Sequence, residues 1–265
     1  YNLGLTEGWL IKKDELTVSH RVIGTGGCAT VLKGEFCRTA VAIKVIKRDD
    51  PSPGNERAVY NELRLLRHLR HPNIVLFHGA CFEENTGSLM IVLELIHGKV
   101  LDSVISRLLA WKPHSPNSVA QTQIVSKICR ALIYLHSRAP CIVHGDLKPS
   151  NILVEKHSET GFSPKLLDLG LSRKITRNSE TRGGTPVYMA PELMLTPGHR
   201  PRPDTDVYSL GLLMYYISTS RRPHTNLSAE EVISKTRAGT LSVLVLLPTT
   251  ALFERWQEII ELCLS

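Results

Sequence analysis

The sequence predicts an α+β fold of two unlike lobes, a small β-rich first lobe with one main helix and a larger, mostly helical second lobe. Three observations carry this. Strand-like runs separated by Gly or polar turns crowd the first ninety-odd residues, a single helix-spaced segment interrupts them, and helical periodicity takes over after Gly98. The first lobe is expected at 1–95, a hinge at 94–98 and the second lobe at 99–265, all within one domain.

The elements follow in order. "LTVSHRVIG" (16–24), "ATVLKGEF" (29–36) and "TAVAIKVIK" (39–47) are rich in β-branched residues and read as strands. Pro53 and Gly54 break the chain, and Asn55–Leu69 places Val59, Leu63, Leu66 and Leu69 at helical spacing until His71-Pro72 ends the run. Two more strands are expected at about 75–82 and 89–95. "WKPHSPNS" (111–118) reads as a surface loop. Residues 118–137 put Ile124, Ile128, Leu132 and Leu135 on one helical face, and further helices are expected at 205–219, 228–237 and 252–263.

Composition narrows the classes. The 265 residues are 42% hydrophobic and 22% charged, as in an ordinary globular protein with a core that needs no staples. The net charge of +7 would suit a nucleic-acid binder, but the densest basic stretches, Arg64–His71 and Arg173–Arg182, are not interleaved with aromatics. Dispersed basic residues in a protein that handles phosphorylated ligands are the expectation, with no nucleic-acid partner. Cys28, Cys37, Cys81, Cys129, Cys141 and Cys263 form no C-x-x-C pair, so free, buried thiols are expected rather than zinc. The apolar stretch Leu241–Leu247 is too short to cross a bilayer and no signal peptide opens the chain, which points to a reducing, cytoplasmic setting. A first residue of Tyr1 rather than Met reads as an excerpt from a longer protein.

Several residue patterns suit a metal-bound triphosphate. Gly24-Thr25-Gly26-Gly27 lies between two strands, where glycines let backbone N–H groups approach phosphate oxygens. It leads into a strand, which excludes a dinucleotide fold whose loop opens a helix. Lys44, in "VAIK", shares a strand face with the small Ala42, so one could lie against a flat ring while the other reaches phosphate. Glu62 on the next helix is placed to hold Lys44. In "VHGDLKPSNILV" (143–154), Asp146 can accept a hydroxyl proton, Lys148 can stabilise a transferring phosphoryl group, and Asn151 offers an oxygen to a hard cation. Asp168, in "LLDLG" after the strand-like "PKLL" and with Gly170 behind it, would be a second hard oxygen ligand. His144 reads as a packed support rather than an acid or base. "GGTPVYMAPE" (183–192) is too specific a string to be explained by packing alone.

Taken together and in this order, the Gly loop, "VAIK", Glu62, "HGDLKPSN", "DLG" and "APE" resemble the eukaryotic protein kinase family over nearly the whole chain. The resemblance implies a protein-kinase-like bilobal fold, ATP and Mg²⁺ as cofactors, and a protein substrate. It implies that Lys44 contacts the α/β-phosphates and pairs with Glu62, that Asp146 is the catalytic base assisted by Lys148, and that Asn151 and Asp168 hold Mg²⁺. By the same likeness Ile23, Gly24, Thr25, Gly26 and Gly27 would cover the nucleotide, and Val31, Ala42 and Leu153 would sandwich the adenine. Leu93 would be the gatekeeper, and Glu94 and Ile96 would offer hinge backbone. Leu66, Phe77, His144 and Leu169 resemble the family's stacked spine, and Asp206 resembles the Asp that holds the catalytic loop from the central helix. "DLKPSN" is the serine/threonine form, and Thr185 would touch Asp146 and Lys148. "GWLIKKDELTV" (8–18) and "HPNIVLFHGAC" (71–81) resemble the tyrosine-kinase-like group, which includes Raf-like and mixed-lineage kinases.

Departures carry expectations too. Ala29 stands at the third Gly of the loop and Leu169 at the usual Phe. Gly145 stands where an Arg normally precedes the catalytic Asp, a non-RD pattern that removes the usual partner of an activation-loop phosphate at Ser172, Thr176, Ser179 or Thr181. The chain stops at Ser265, before the Arg that usually pairs with the Glu at 192, which reads as a truncated second lobe. Small-molecule phosphotransferases share "HGDL…N" but not "GTPVYMAPE" or "HPNIV", and a pseudokinase would lack one of the polar groups that are all present here.

Overall fold

The structure is a computed structural model whose described residues are 2–26, 29–46, 62–83, 88–111, 119–159, 161–169, 173–174, 186–196, 199, 201–241 and 251–265. The chain divides into two compact units, Tyr1–His97 and Gly98–Ser265.

The first unit is built on a five-stranded sheet in the order β1-β2-β3-β5-β4, with every neighbouring pair antiparallel. Its strands are β1 (Leu16–Gly26), β2 (Ala29–Phe36), β3 (Thr39–Ile46), β4 (Phe77–Glu83) and β5 (Ser88–Glu94). Leu16, Val41, Ile43, Cys81, Met90 and Val92 form a core cluster together with Ile11 from the N-terminal segment, and β5 is buried on both faces over 88–92. A short helix α1 (Asn2–Thr6) opens the unit, and the helix α2 is described at 62–66, where Leu63, Leu65 and Leu66 are buried. The start expected for this helix, with Pro53 and Gly54, lies outside the described residues.

Strands β2 and β3 join through Cys37 (φ 49) and Arg38 (φ 61), both left-handed, with Phe36 opposite Thr39. This is the backbone of a two-residue hairpin turn that Asn-Gly fills without strain. Changing Cys37→Asn together with Arg38→Gly is expected to stabilise the unit by about 1–2 kcal/mol, read as a higher Tm. The same turn leaves Cys37 exposed, which corrects the expectation that every thiol is buried. The reason is local: a two-residue loop has no core to point into.

The second unit centres on helix α6 (Pro203–Thr219), buried along almost its whole length. Pro203 stands at its first turn, where a missing N–H costs nothing. Around it lie α3 (Leu101–Trp111), α4 (Val119–His136), α5 (Pro191–Leu195), α7 (Ala229–Arg237) and α8 (Ala251–Leu264). Helix α4 buries Ile124, Ile128, Leu132 and Leu135 as the periodicity predicts. Helix α7 starts on a reciprocal cap in which Ser228 and Glu231 satisfy each other's backbone N–H.

The second unit also holds strands, of which the sequence reading anticipated only the strand-like "PKLL" (164–167) ahead of Asp168. These are β6 (Lys99–Val100), β7 (Ile142–Val143), β8 (Ile152–His157), β9 (Gly161–Leu166) and β10 (Arg173–Lys174). β6, β8 and β9 form one sheet, and β7 and β10 pair as another. The two-residue strands β6, β7 and β10 carry no period to detect. Helix α3 was also unforeseen, since no Ser, Thr, Asp or Asn stands just ahead of Leu101 to mark its start. No helix among the described residues is long and apolar enough to cross a membrane. The loop expected at 111–118 lies almost wholly outside the described residues.

Candidate active site

In the first unit the sheet register lines up the nucleotide candidates. Gly24 pairs with Val31, and Val31 pairs with Lys44, so the three stand in one row across β1, β2 and β3. Two residues along β3, Ala42 pairs with Leu93 of β5. Period two puts Ala42 on the same sheet face as Lys44. A Cβ built at Gly24 would meet Val31 at an ordinary 3.6 Å, so packing alone does not demand glycine there. Ile23 is exposed, as is Thr25, while Gly27 lies outside the described residues.

Lys44 and Glu62 meet. The ammonium donates to both carboxylate oxygens, at 2.9 and 2.7 Å. Glu62 is only 3% exposed, so it is no surface helix carboxylate. A carboxylate taken that far from water requires a cation, and a charge-assisted fork of this kind holds both side chains in one geometry.

At the end of β5, the Glu94 N–H donates to Leu76 O at 2.9 Å, while Leu76 N–H donates to Glu94 Oε1 at 2.7 Å. This two-way clamp fixes the strand end ahead of the half-buried Ile96.

In the second unit the residues around Asp146 converge. Lys148 Nζ lies 2.7 Å from Asp146 Oδ2. Asn151 Nδ2 donates to Asp146 O at 2.9 Å and to Asp146 Oδ2 at 3.0 Å. Both contacts use the amide nitrogen, which turns the Asn151 carbonyl oxygen away from Asp146. Pro149–Asn151 forms a single 3₁₀ turn, and Leu167 N–H donates to Asn151 O at 2.8 Å. That bond, with the Ile152–Leu166 pair of β8 and β9, sets Asn151 and Asp168 at the same end of one hairpin. Asp168 is exposed, the next residue, Leu169, is fully buried, and Leu153 on β8 is half-buried.

The loop that carries Asp146 is held from below. Asp206, 1% exposed in the first turn of α6, accepts from His144 N (2.8 Å), Gly145 N (2.9 Å) and the His136 ring (Nε2, 2.8 Å). The N-terminal end of α6 favours a carboxylate there. Gly145 has φ 77, a left-handed backbone that suits glycine. His136, at the end of α4, was not foreseen; it lies seventy positions from its partner and no local pattern marks it.

His144 is fully buried, and its Nδ1 accepts from Asp146 N at 3.3 Å. Burial pushes its pKa below the usual 6.5, opposed by the nearby Asp206, Asp146 and Asp168 carboxylates. Burial lowers His78 and His224 as well. An unfolded chain takes up these protons as pH drops through about 6.5 while the folded one does not, so stability falls with pH below that point. Tm measured across this range should decline on the acid side, and less steeply for His144→Phe. An identical profile in that variant would remove His144 from the account.

Beside Asp146 lies a recess lined by Gly145, Leu147, Tyr188, Met189, Leu193 and Thr205. Tyr188 ends a 3₁₀ turn (Pro186–Tyr188), and Ser209 of α6 donates to its carbonyl at 2.7 Å. Thr185 and the possible phosphosites Ser172, Thr176, Ser179 and Thr181 lie outside the described residues.

Residues 17–265 match the family described as the protein kinase domain. The chain belongs to the protein kinase family. The bilobal α+β fold expected from the motifs is borne out. This kinase domain is 34% identical over 216 residues to the U-box domain-containing protein 70 of Oryza sativa subsp. japonica, covering 76% of this chain and 24% of that protein. It is 31% identical over 215 residues to the serine/threonine-protein kinase CTR1 of Arabidopsis thaliana, covering 80% and 25%. To the receptor-like serine/threonine-protein kinase ALE2 of Arabidopsis thaliana it is 36% identical over 210 residues, covering 77% and 26%. The chain spans about a quarter of the length of these relatives. Membership of the kinase family implies ATP, a divalent cation and a protein acceptor.

Proposed function

We propose that this domain transfers the γ-phosphate of ATP to serine or threonine hydroxyls of proteins, using Mg²⁺. The observation that carries the reading is the restraint on Asp146. Its carboxylate is fixed by Lys148 and Asn151, and its loop is fixed by Asp206. A base pre-set in this way can accept the acceptor hydroxyl's proton without reorganising, while the Lys148 ammonium meets charge on the transferring phosphoryl group.

In the first unit, Lys44 is the cation for the α/β-phosphates and Glu62 keeps it in place. Gly24, Thr25, Gly26 and Gly27 serve close backbone approach to phosphate, which agrees with the lack of a packing reason for glycine at 24. Because the Glu94 N–H is already donated to Leu76, the carbonyl of Glu94 and the N–H of Ile96 are the hinge groups for adenine. Within the first unit, Val31, Ala42 and Ile23 are the apolar side chains for the base. In the second unit, the Asn151 amide oxygen and the Asp168 carboxylate are hard donors suited to Mg²⁺. Among the described residues no cluster of three or more His, Cys, Asp or Glu could hold a metal alone, so phosphate oxygens and water complete the shell. Support for serine and threonine comes from the "DLKPSN" string and from the names of CTR1 and ALE2.

The test is transfer from labelled Mg²⁺-ATP to a generic basic protein, run beside aminoglycoside acceptors. Label should appear on protein serine or threonine, and Lys44→Met should lower turnover by about 10²–10³-fold. Label on the aminoglycoside, or undiminished transfer by Lys44→Met, would reject the reading.

A further inference from the structure

The first unit carries a second polar cluster, apart from the groups assigned above to ATP and the acceptor hydroxyl. It sits where the N-terminal segment runs along β4, the edge strand of the sheet. Ala80 N–H donates to Trp9 O at 2.9 Å, Ile11 N–H donates to Ala80 O at 2.8 Å, and Leu10 bridges Ala80 in parallel. The segment thereby pairs with an edge that would otherwise stay open. Gly79 permits this approach, since a Cβ there would lie 2.5 Å from Trp9 O and 2.7 Å from the Ile11 side chain.

From this fixed post Glu7 reaches towards α2. Its carboxylate accepts the Trp9 indole N–H at 3.0 Å and pairs with the Arg67 guanidinium at 2.5 Å. Arg67 follows α2 directly, and its side chain is only 15% exposed. Five residues, about one and a half helical turns, separate it from Glu62. The Trp9 ring leans on Phe77 with centroids 6.4 Å apart. A backbone ladder therefore holds Glu7, Glu7 holds the C-terminal end of α2, and α2 carries the carboxylate that holds Lys44. Rotation of α2 about its own axis would swing Glu62 away from Lys44, and the Glu7–Arg67 pair opposes that rotation.

We propose that residues 2–15 form a strap that sets the register of α2, with Glu7 and Arg67 as positioning residues for the Lys44–Glu62 pair. The inference rests on the kinase reading given above and adds a point of control to it. A partner strand that took over the β4 edge would lift the strap and weaken the hold on Lys44.

The experiment measures kcat, KM for ATP and Tm for Glu7→Ala, Arg67→Ala, the double variant and the charge exchange Glu7→Arg with Arg67→Glu. Each is made in the parent and in a Glu62→Gln background, and amide hydrogen exchange of residues 62–69 is followed in all. Each single variant and the double should lose kcat by the same factor, about tenfold, because they break one shared interaction. The charge exchange should restore most of it. In the Glu62→Gln background the same changes should leave kcat untouched, since the residue through which they act is gone. A purely structural role for the strap predicts the same loss in both backgrounds, and that result would overturn the proposal, as would parent-like kcat in the single variants. If the parent itself transfers no phosphate, the kinase reading fails separately. Hydrogen exchange then decides the strap: faster exchange at 62–66 in Glu7→Ala supports it, and unchanged exchange removes it.

Discussion

The Asp146→Asn variant should fold as the parent does and lose turnover by about 10²–10⁴-fold, the usual share of a positioned proton acceptor. The substitution keeps the shape of the side chain. The Asn151 amide still has the backbone carbonyl of residue 146 to donate to, at 2.9 Å, so the loop retains its support. Asp206 still accepts from His144 N and Gly145 N. What disappears is the carboxylate proposed to take the hydroxyl proton, which pairs with Lys148 at 2.7 Å. ATP affinity, measured by titration calorimetry, should stay close to that of the parent while kcat collapses. Near-parental kcat would show that Asp146 is not the base, and the proposed mechanism would fail with it.

Asp206→Ala should act on the fold as well as on turnover. One carboxylate, 1% exposed, satisfies two backbone N–H groups and the His136 ring. Alanine removes the acceptor and leaves those donors facing a void at the base of the loop that carries Asp146. Breaking a buried polar arrangement of this kind costs about 3–5 kcal/mol, a large part of the stability of an ordinary domain. Tm should drop steeply, and activity should fall because the loop that presents Asp146 loosens. Asp206→Asn should lie between the two, since an amide oxygen can still accept from one backbone N–H while its NH₂ faces the other. Calorimetry on the three proteins separates this effect from that at Asp146, where activity goes and stability stays. An unchanged Tm in Asp206→Ala would mean that the carboxylate does not support the loop.

Gly145 belongs to the same device. Its φ of 77 is strained for an arginine side chain by about 1–2 kcal/mol, and glycine adopts it freely. The departure from the usual Arg at this position therefore coincides with a relaxed backbone directly above Asp206.

Much of this was legible in the linear chain. The β-rich runs within 16–46 and 77–94, bounded by turns, specify strands, and the periodicity of 119–136 specifies a helix with one apolar face. The residues of "VAIK" and "HGDLKPSN" are close neighbours in sequence, so their chemistry could be read from spacing alone. Asp146, Lys148 and Asn151 meet within a single loop for the same reason.

Contacts between distant elements were decided by tertiary packing. The sequence places Glu62 on the helix that follows Lys44, but its burial against Lys44 depends on how α2 lies on the sheet. His136 reaches Asp206 only because α4 and α6 pack side by side. Glu7 finds Arg67 sixty residues away because Gly79 lets the N-terminal segment lie against β4. A local pattern encodes which face of an element is apolar. It does not encode which partner that face meets, because that choice belongs to the packing of the whole unit.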